Sequence, residues 1–137
     1  RMGTDIHSIV QVQRGQHDWE TVGAEVAGDQ RVYDAFAILA NVRNTEDKPY
    51  ICKPRGLPKG LRLENWSRDI DGNLLGDHSH SWLTLDELVR FHERVLKSAI
   101  DYFGYTPISD ILEALREVQQ EEGVSDEDVR YVFGFSS

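Results

Sequence analysis

Three stretches of the chain alternate between apolar and polar positions, which is the pattern that predicts β-strands. The first covers residues 5–13, and the second covers residues 19–26. A polar turn at residues 15–18 joins them, so the two strands are predicted to form an antiparallel hairpin. The third stretch, residues 129–135, carries aromatic side chains on one face, and we expect it to be buried beside the first strand.

Apolar residues at helical spacing predict three helices between the hairpin and the last strand. The first is predicted to begin after Asp29 as N-cap and to end near Asn44, which puts Arg43 at the edge of its buried face. The third is predicted to begin at Pro107 and to end at Gly123, because these residue types favour the first position and the C-terminal stop of a helix.

The second helix has the clearest start, because its sequence contains a complete capping box. Thr84 is the predicted N-cap, and the carboxylate of Glu87 three residues later can accept a hydrogen bond from the Thr84 amide. Leu83 and Leu88 stand on either side of this turn as a hydrophobic staple. We expect the helix to run over residues 85–103.

The segment between the first and second helices, residues 45–77, follows neither period. Pro54 and Pro58 exclude a regular helix or a central strand around them. Asp71 and Gly72 predict a tight hairpin turn. The residues around them do not form a calcium-binding EF-hand, because the glycine is at the wrong position and the distal glutamate is missing.

These elements together predict an α+β fold. Its sheet is small and mostly antiparallel, built from the N-terminal hairpin and the C-terminal strand, and the three helices pack on it. The length of 137 residues suits one domain with its own core, so residues 1–137 are predicted to form a single domain.

The charge balance narrows the classes of partner. With 15 basic and 24 acidic side chains the chain has a formal net charge of −9, the wrong sign for a nucleic-acid-binding surface or for binding an anionic membrane. No apolar run reaches the roughly 18 residues of a membrane span, and no secretory signal is recognised. Cys52 is the single cysteine, so the sequence excludes an intramolecular disulfide, and we expect a cytoplasmic protein.

Four segments occur in a recognisable order: GTDIH at residues 3–7, FAILANVRN at residues 36–44, RGLP at residues 55–58 and HSHSWLTL at residues 78–85. In this combination the chain resembles an uncharacterised family of small proteins encoded by tailed bacteriophages and prophages. The chain departs from that family where Ser8 replaces a glycine, and where it ends in two serines in place of an acidic or amide group. The resemblance implies phage origin and action in the bacterial cytoplasm, and it implies no particular chemistry.

Three separated segments carry the polar side chains from which a site could be built. Asp5 and His7 share one face of the first strand, because side chains two residues apart point to the same side. Arg43 and Arg55 supply positive charge, and residues 78–81 place two imidazoles and two hydroxyls before the capped helix, whose N-terminus favours anions. We hypothesise that the fold brings these segments together.

The first functional hypothesis is the binding of an anionic small molecule, such as a nucleotide or a nucleotide-derived signal. Guanidinium groups can bind phosphate through two hydrogen bonds, hydroxyls can donate to it, and an indole can stack on a base. In a phage, such a protein would counter host defence by sequestering an immune signal. The predicted ligand-binding residues are His7, Arg43, Arg55, His78, Ser79, Ser81 and Trp82.

Two alternatives stay open at this stage. Asp5, His7, His78 and His80 are residue types that bind divalent zinc or manganese, so a metal-dependent hydrolase is the second hypothesis. The third is an inhibitor that binds a host protein through its acidic surface and the loop at residues 45–77. A homo-oligomer is compatible with each hypothesis. No Ser-His-Asp nucleophile elbow, phosphate-binding P-loop or dinucleotide fingerprint is recognised.

Overall fold

The structure is a computed structural model that describes residues 3–24, 32–61, 75–96 and 106–137. In these residues a four-stranded antiparallel sheet with strand order β2-β1-β4-β3 packs against three α-helices. The strands are β1 (Asp5–Val12), β2 (Glu20–Ala24), β3 (His78–Thr84) and β4 (Val129–Ser136). The predicted α+β class, the N-terminal hairpin and the place of the last strand beside the first are all confirmed.

The two central strands form the largest part of the core. β1 and β4 pair along their whole length, and the residues of β4 that alternate toward the helices are fully buried. Tyr131, Phe133 and Phe135 lie on this face, and their rings contact one another in sequence at centroid distances of 5.2 Å and 5.9 Å. Burial of three large aromatic side chains contributes roughly 2–3 kcal/mol each, so this face anchors the fold.

The sequence does not predict strand β3, because residues 78–81 are all polar and directly precede a capped helix. The strand lies at the edge of the sheet and pairs antiparallel with β4. Its register shifts between His78 and Ser81, and Ser79 has a left-handed backbone with a φ of 55°. This bulge interrupts the alternation of side chains, which is why the sequence does not show a period of two here.

The helices are α1 (Tyr33–Ala40), α2 (Leu85–Phe91) and α3 (Ser109–Glu122). Helix α1 is shorter than predicted at both ends: its N-cap is Val32 rather than Asp29, and it stops at a left-handed Asn41, so Arg43 lies beyond the helix. Helix α3 begins two residues after Pro107 and ends, as predicted, at a left-handed Gly123.

Helix α2 begins as the sequence predicts. The Thr84 hydroxyl accepts a hydrogen bond from the Glu87 amide at 3.1 Å, and the Thr84 amide donates to Glu87 Oε1 at 3.0 Å, which completes the capping box. Leu83 and Leu88 are fully buried. After residue 91 the chain continues as a π-helical turn, His92–Leu96, and the predicted C-terminal end of this helix lies outside the described residues.

A loop covers the outer edge of β3. Residues 45–61 contain no helix or strand, as predicted, and the predicted turn at residues 71–72 lies outside the described part of the chain. The Gly56 amide donates to the His80 carbonyl at 2.8 Å, and the Arg55 amide donates to Ser81 Oγ at 3.1 Å. The first bond satisfies a backbone carbonyl of β3 that would otherwise be open to pairing with another chain, and the second fixes the loop to a buried side chain.

The backbone before β3 lies directly on the end of β4. The Asp77 amide donates to the Phe135 carbonyl at 2.8 Å. Gly76 has a φ of 79°, and a Cβ added there would lie 2.5 Å from the same carbonyl oxygen. A Cβ at Gly134 would lie 1.9 Å from the Leu75 carbonyl oxygen. Glycine is therefore required on both sides of this contact, which positions the start of β3 beside the end of β4.

Candidate functional site

The structure brings three of the predicted ligand-binding residues together where β1 begins and β4 ends. The antiparallel register pairs Asp5 with Ser136, so Thr4 and Ser137 face each other one residue further out, with their hydroxyl oxygens 3.0 Å apart. His78 at the start of β3 has its Nε2 atom 3.0 Å from Ser137 Oγ. We call the group formed by Thr4, Arg43, His78, Ser79 and Ser137 the hydroxyl cluster.

Arg43 joins the hydroxyl cluster because the chain reverses direction after α1. Asn41 and Arg43 both have a left-handed backbone, with φ of 59° and 55°. The reversal returns the Arg43 side chain to β1, where its Nε donates to Thr4 Oγ1 at 2.9 Å. Its guanidinium carbon lies 5.0 Å from the ring centroid of Tyr33, whose hydroxyl accepts from the Thr4 amide at 3.1 Å. A cation over an aromatic face is stabilised by the ring electrons, so the guanidinium is oriented.

The hydrogen bonds of the cluster fit two directions. Arginine can only donate, so Thr4 Oγ1 accepts from Arg43, while either hydroxyl can donate between Thr4 and Ser137. With the imidazole hydrogen on Nδ1, His78 Nε2 accepts from Ser137 Oγ and Nδ1 donates to Ser79 Oγ, which lies 2.9 Å away. With the hydrogen on Nε2, both of these bonds reverse.

A cleft of about 190 Å³ lies next to Arg43. Its charged lining consists of Asp34, Arg43, Glu46 and Lys48. The Lys48 ammonium lies 3.8 Å from Asp34 and 3.5 Å from Glu46, so these three charges are paired with one another. Within the described residues Arg43 has no carboxylate at salt-bridge distance. The cleft therefore contains one guanidinium whose charge the described part of the protein does not neutralise.

His7 lies across the sheet from the hydroxyl cluster. It is on the face of β1 opposite to Thr4, and its Nε2 atom is 2.8 Å from Ser136 Oγ. His78, in contrast, pairs with Phe135 and stacks on that ring with centroids 6.1 Å apart. The two histidines thus contact the two successive serines at the end of β4 from opposite faces.

Arg55, Ser81 and Trp82 form a separate group on the outer side of β3. Arg55 binds Glu87 through two hydrogen bonds, NH1 to Oε1 at 3.0 Å and NH2 to Oε2 at 2.5 Å. Its guanidinium carbon also lies 4.7 Å from the Trp82 ring centroid. The hydrogen bond from Arg55 lowers the pKa of Glu87, and the same bond raises the pKa of Arg55. Their charges compensate each other, and Ser81 is fully buried. A ligand-binding role for these three residues stays a prediction.

The residues of the metal hypothesis are not brought together. No three His, Cys, Asp or Glu side chains within the described ranges lie close enough to hold a metal ion. His7 and His78 are on opposite faces of the sheet, and His80 Nε2 lies 3.0 Å from the Gly76 carbonyl oxygen. The sheet itself separates the two imidazoles, which the sequence spacing could not show.

The face of the sheet opposite the helices contains a buried arginine that the sequence did not single out. Arg130 is 6% exposed, and its Nε donates to Gln11 Oε1 at 2.7 Å. Its guanidinium carbon lies 4.2 Å from the Trp19 ring centroid and 6.0 Å from that of Trp82. Burial lowers the pKa of Arg130 to about 10.

The sequence pattern does not single out four residues that lie at or near the site: Thr4, Tyr33, Ser136 and Ser137. A signal for three of them was present, because predicting β1 and β4 as antiparallel neighbours implies that their outer ends meet. The role of Tyr33 has no such signal, since it depends on the reversal of the chain after α1.

No protein family model matches the sequence, and neither a curated protein nor a solved structure matches it. In the part of the chain that the structure describes, no helix is both long and apolar enough to cross a membrane.

Proposed function

We propose that the cleft beside Arg43 binds an anionic small molecule that carries a phosphate group, such as a nucleotide or a nucleotide-derived signal. The observation that carries this proposal is the Arg43 guanidinium. Its Nε is held by Thr4 and its face by Tyr33, while no carboxylate among the described residues pairs with it. An arginine oriented in this way offers its terminal N–H groups to phosphate in the geometry that guanidinium groups favour.

The size and charge of the cleft support a small ligand with few negative charges. A volume of about 190 Å³ is below the roughly 300 Å³ at which sites for drug-sized molecules begin. The cleft therefore suits a phosphate with part of a sugar, while a base extends beyond it. Asp34 and Glu46 also line the cleft and repel a chain of several phosphates, so a nucleoside monophosphate is preferred over a triphosphate.

The proposed setting is the bacterial cytoplasm during phage infection, where a protein of this kind would remove a nucleotide-derived signal of host defence. The resemblance of the four sequence segments to phage-encoded proteins supports this setting. The metal-dependent hydrolase receives less support, because the described residues contain no assembled set of three ligands. The host-protein inhibitor stays a prediction.

Isothermal titration calorimetry against AMP, ATP and inorganic phosphate tests the proposal. We expect AMP to bind more tightly than ATP, and Arg43→Ala to weaken AMP binding by roughly 10–100-fold, because a charge-assisted hydrogen bond contributes about 1.5–3 kcal/mol. Arg90→Ala is the matched control, since Arg90 is an exposed arginine whose partner is Asp86 on the surface of α2. Absence of heat with every ligand, or equal affinity of the Arg43→Ala variant, would contradict the proposal.

A further inference from the structure

The hydroxyl cluster has a feature that anion binding does not require. Ser137 Oγ lies 3.0 Å from His78 Nε2, and the other nitrogen of the same imidazole lies 2.9 Å from Ser79 Oγ. A hydroxyl, an imidazole and a third polar group in hydrogen-bonded series are the components from which seryl nucleophiles are built. The ring of His78 is also held in its plane by stacking on Phe135.

We propose that Ser137 is a nucleophile activated by His78, and that this site cleaves carboxylic esters through an acyl-serine intermediate. Ser137 is exposed and His78 is half-buried, so a substrate can reach the hydroxyl while the base is shielded on one side. In the tautomer with its hydrogen on Nδ1, the lone pair of His78 Nε2 faces the Ser137 hydroxyl, which is the state that a general base needs. Ser79 is a positioning residue whose hydroxyl accepts from Nδ1 in this tautomer.

The neighbouring residues supply positive charge where it is needed. Attack on an ester develops negative charge on the carbonyl oxygen, and a preorganised donor next to that oxygen lowers the barrier. Arg43 is separated from Ser137 by a single hydroxyl, that of Thr4, with contacts of 2.9 Å and 3.0 Å. In this proposal the terminal N–H groups of Arg43, which also lines the adjacent cleft, stabilise the oxyanion of an ester that reaches Ser137.

The reaction balances without a further reagent. Ser137 Oγ forms a bond to the ester carbonyl carbon while its proton passes to His78 Nε2. The bond from that carbon to the alcohol oxygen breaks, and His78 returns the proton to the departing alcohol. Water then attacks the acyl-serine and gives a proton to His78. That proton returns to Ser137 Oγ as the carboxylic acid leaves.

A fluorophosphonate probe tests the nucleophile directly, because it forms a stable bond to an activated serine and releases fluoride. We expect intact-protein mass spectrometry to show one added probe, and peptide mapping to place it on Ser137. Ser137→Ala should abolish the label, and His78→Gln should slow labelling by about 100-fold or more, the usual contribution of a general base. Labelling at another residue, or no labelling of the folded protein, overturns the proposal.

Two further comparisons separate catalysis from structure. Ser136→Ala is the matched control, because Ser136 also contacts a histidine but lies on the opposite face from Arg43, and its labelling rate should equal that of the unmodified protein. Ser79→Ala should slow labelling roughly 10-fold through loss of one hydrogen bond. Ser79→Asp should restore the rate, since aspartate tolerates the positive φ of 55° and accepts more strongly from Nδ1. If Ser79→Asp stays as slow as Ser79→Ala, Ser79 does not position the base.

The nucleophile and the proposed ligand site can fail separately. Ser137→Ala should abolish labelling without removing AMP binding in the calorimeter, because Arg43 and the cleft remain. Labelling of Ser137 in a protein that binds no nucleotide would support the nucleophile and contradict the proposed ligand.

Discussion

The carboxylate of Glu87 joins three parts of the molecule, and its removal gives the sharpest prediction about stability. Glu87 accepts from the Thr84 amide at 3.0 Å, which starts α2, and from both terminal nitrogens of Arg55, which holds the loop against β3. Glu87→Ala retains the bond from the residue 87 amide to Thr84, because that bond uses the backbone. The variant therefore loses half of the capping box and the whole ion pair.

The expected loss can be worked out from these contacts. Half of a capping box contributes about 0.5–1 kcal/mol. The Glu87 side chain is 35% exposed, so water screens the ion pair, and a paired geometry of this kind contributes about 1 kcal/mol. The free energy of unfolding should fall by about 1.5–2 kcal/mol, which lowers Tm by about 4–7 °C in a domain of this size.

Urea denaturation followed by tryptophan fluorescence measures this loss, and a double-mutant cycle with Arg55→Ala isolates the pair. We expect a coupling energy of about 0.5–1 kcal/mol between Glu87 and Arg55. The pair formed by Arg90 and Asp86 on the same helix is the control; its arginine is 70% exposed, so the coupling should be below about 0.5 kcal/mol. If the losses of Glu87→Ala and Arg55→Ala simply add, the loop is not fixed by this ion pair.

Three other predictions concern stability. The hydrogen bond from Arg55 holds the pKa of Glu87 below its usual value of 4.5. The ionised carboxylate therefore stabilises the fold above that pH, and this stabilisation is lost as the pH falls through the folded-state pKa. Glu87→Gln should reduce the loss of stability in acid, measured as a pH–stability curve. Gly76→Ala should lower the free energy of unfolding by more than about 3 kcal/mol, because its Cβ would clash with the backbone of Phe135. Gly60 also has a positive φ but has open space around it, so Gly60→Ala should lower the free energy of unfolding by only about 1–2 kcal/mol, as measured by thermal unfolding. Gln11→Ala should lower the free energy of unfolding in urea by about 1–3 kcal/mol, because it leaves the buried Nε of Arg130 without its acceptor. Gln11→Glu should not lower it, because the glutamate carboxylate still accepts from Arg130.

Features that depend on neighbouring residues were predictable from the sequence. The capping box needs Thr84 and Glu87 at a spacing of three, and the structure shows both of its hydrogen bonds. Alternation found β1 and β4 because each carries mainly large apolar side chains on its helix-facing side, although β4 is buried on both faces. Gly123 marked the end of α3 because a left-handed C-cap favours glycine.

Features that depend on distant residues were not predictable in the same way. The pairing of Arg55 with Glu87 joins positions 32 residues apart, and no local spacing in the sequence indicates it. His7 and His78 are both predicted to line one site, but the sheet separates them. Paired residues of neighbouring strands share a face: His7 pairs with Gly134, and His78 pairs with the next residue, Phe135, which points to the opposite face. The same pairing rule brings Ser137 to Thr4, and this contact completes the hydroxyl cluster.

The most direct test of the central claim is a ¹H–¹⁵N NMR titration with AMP that resolves the Nε–H signals of the arginine side chains. If AMP binds in the cleft beside Arg43, the Nε–H signal of Arg43 should shift with one dissociation constant, and the amide signals of Thr4 and Ser137, which hydrogen bonds connect to Arg43, should shift with it. The Nε–H signal of Arg55, which is paired with Glu87, should stay in place. Shifts at Arg55 without shifts at Arg43, or no shifts at either arginine, would contradict the claim.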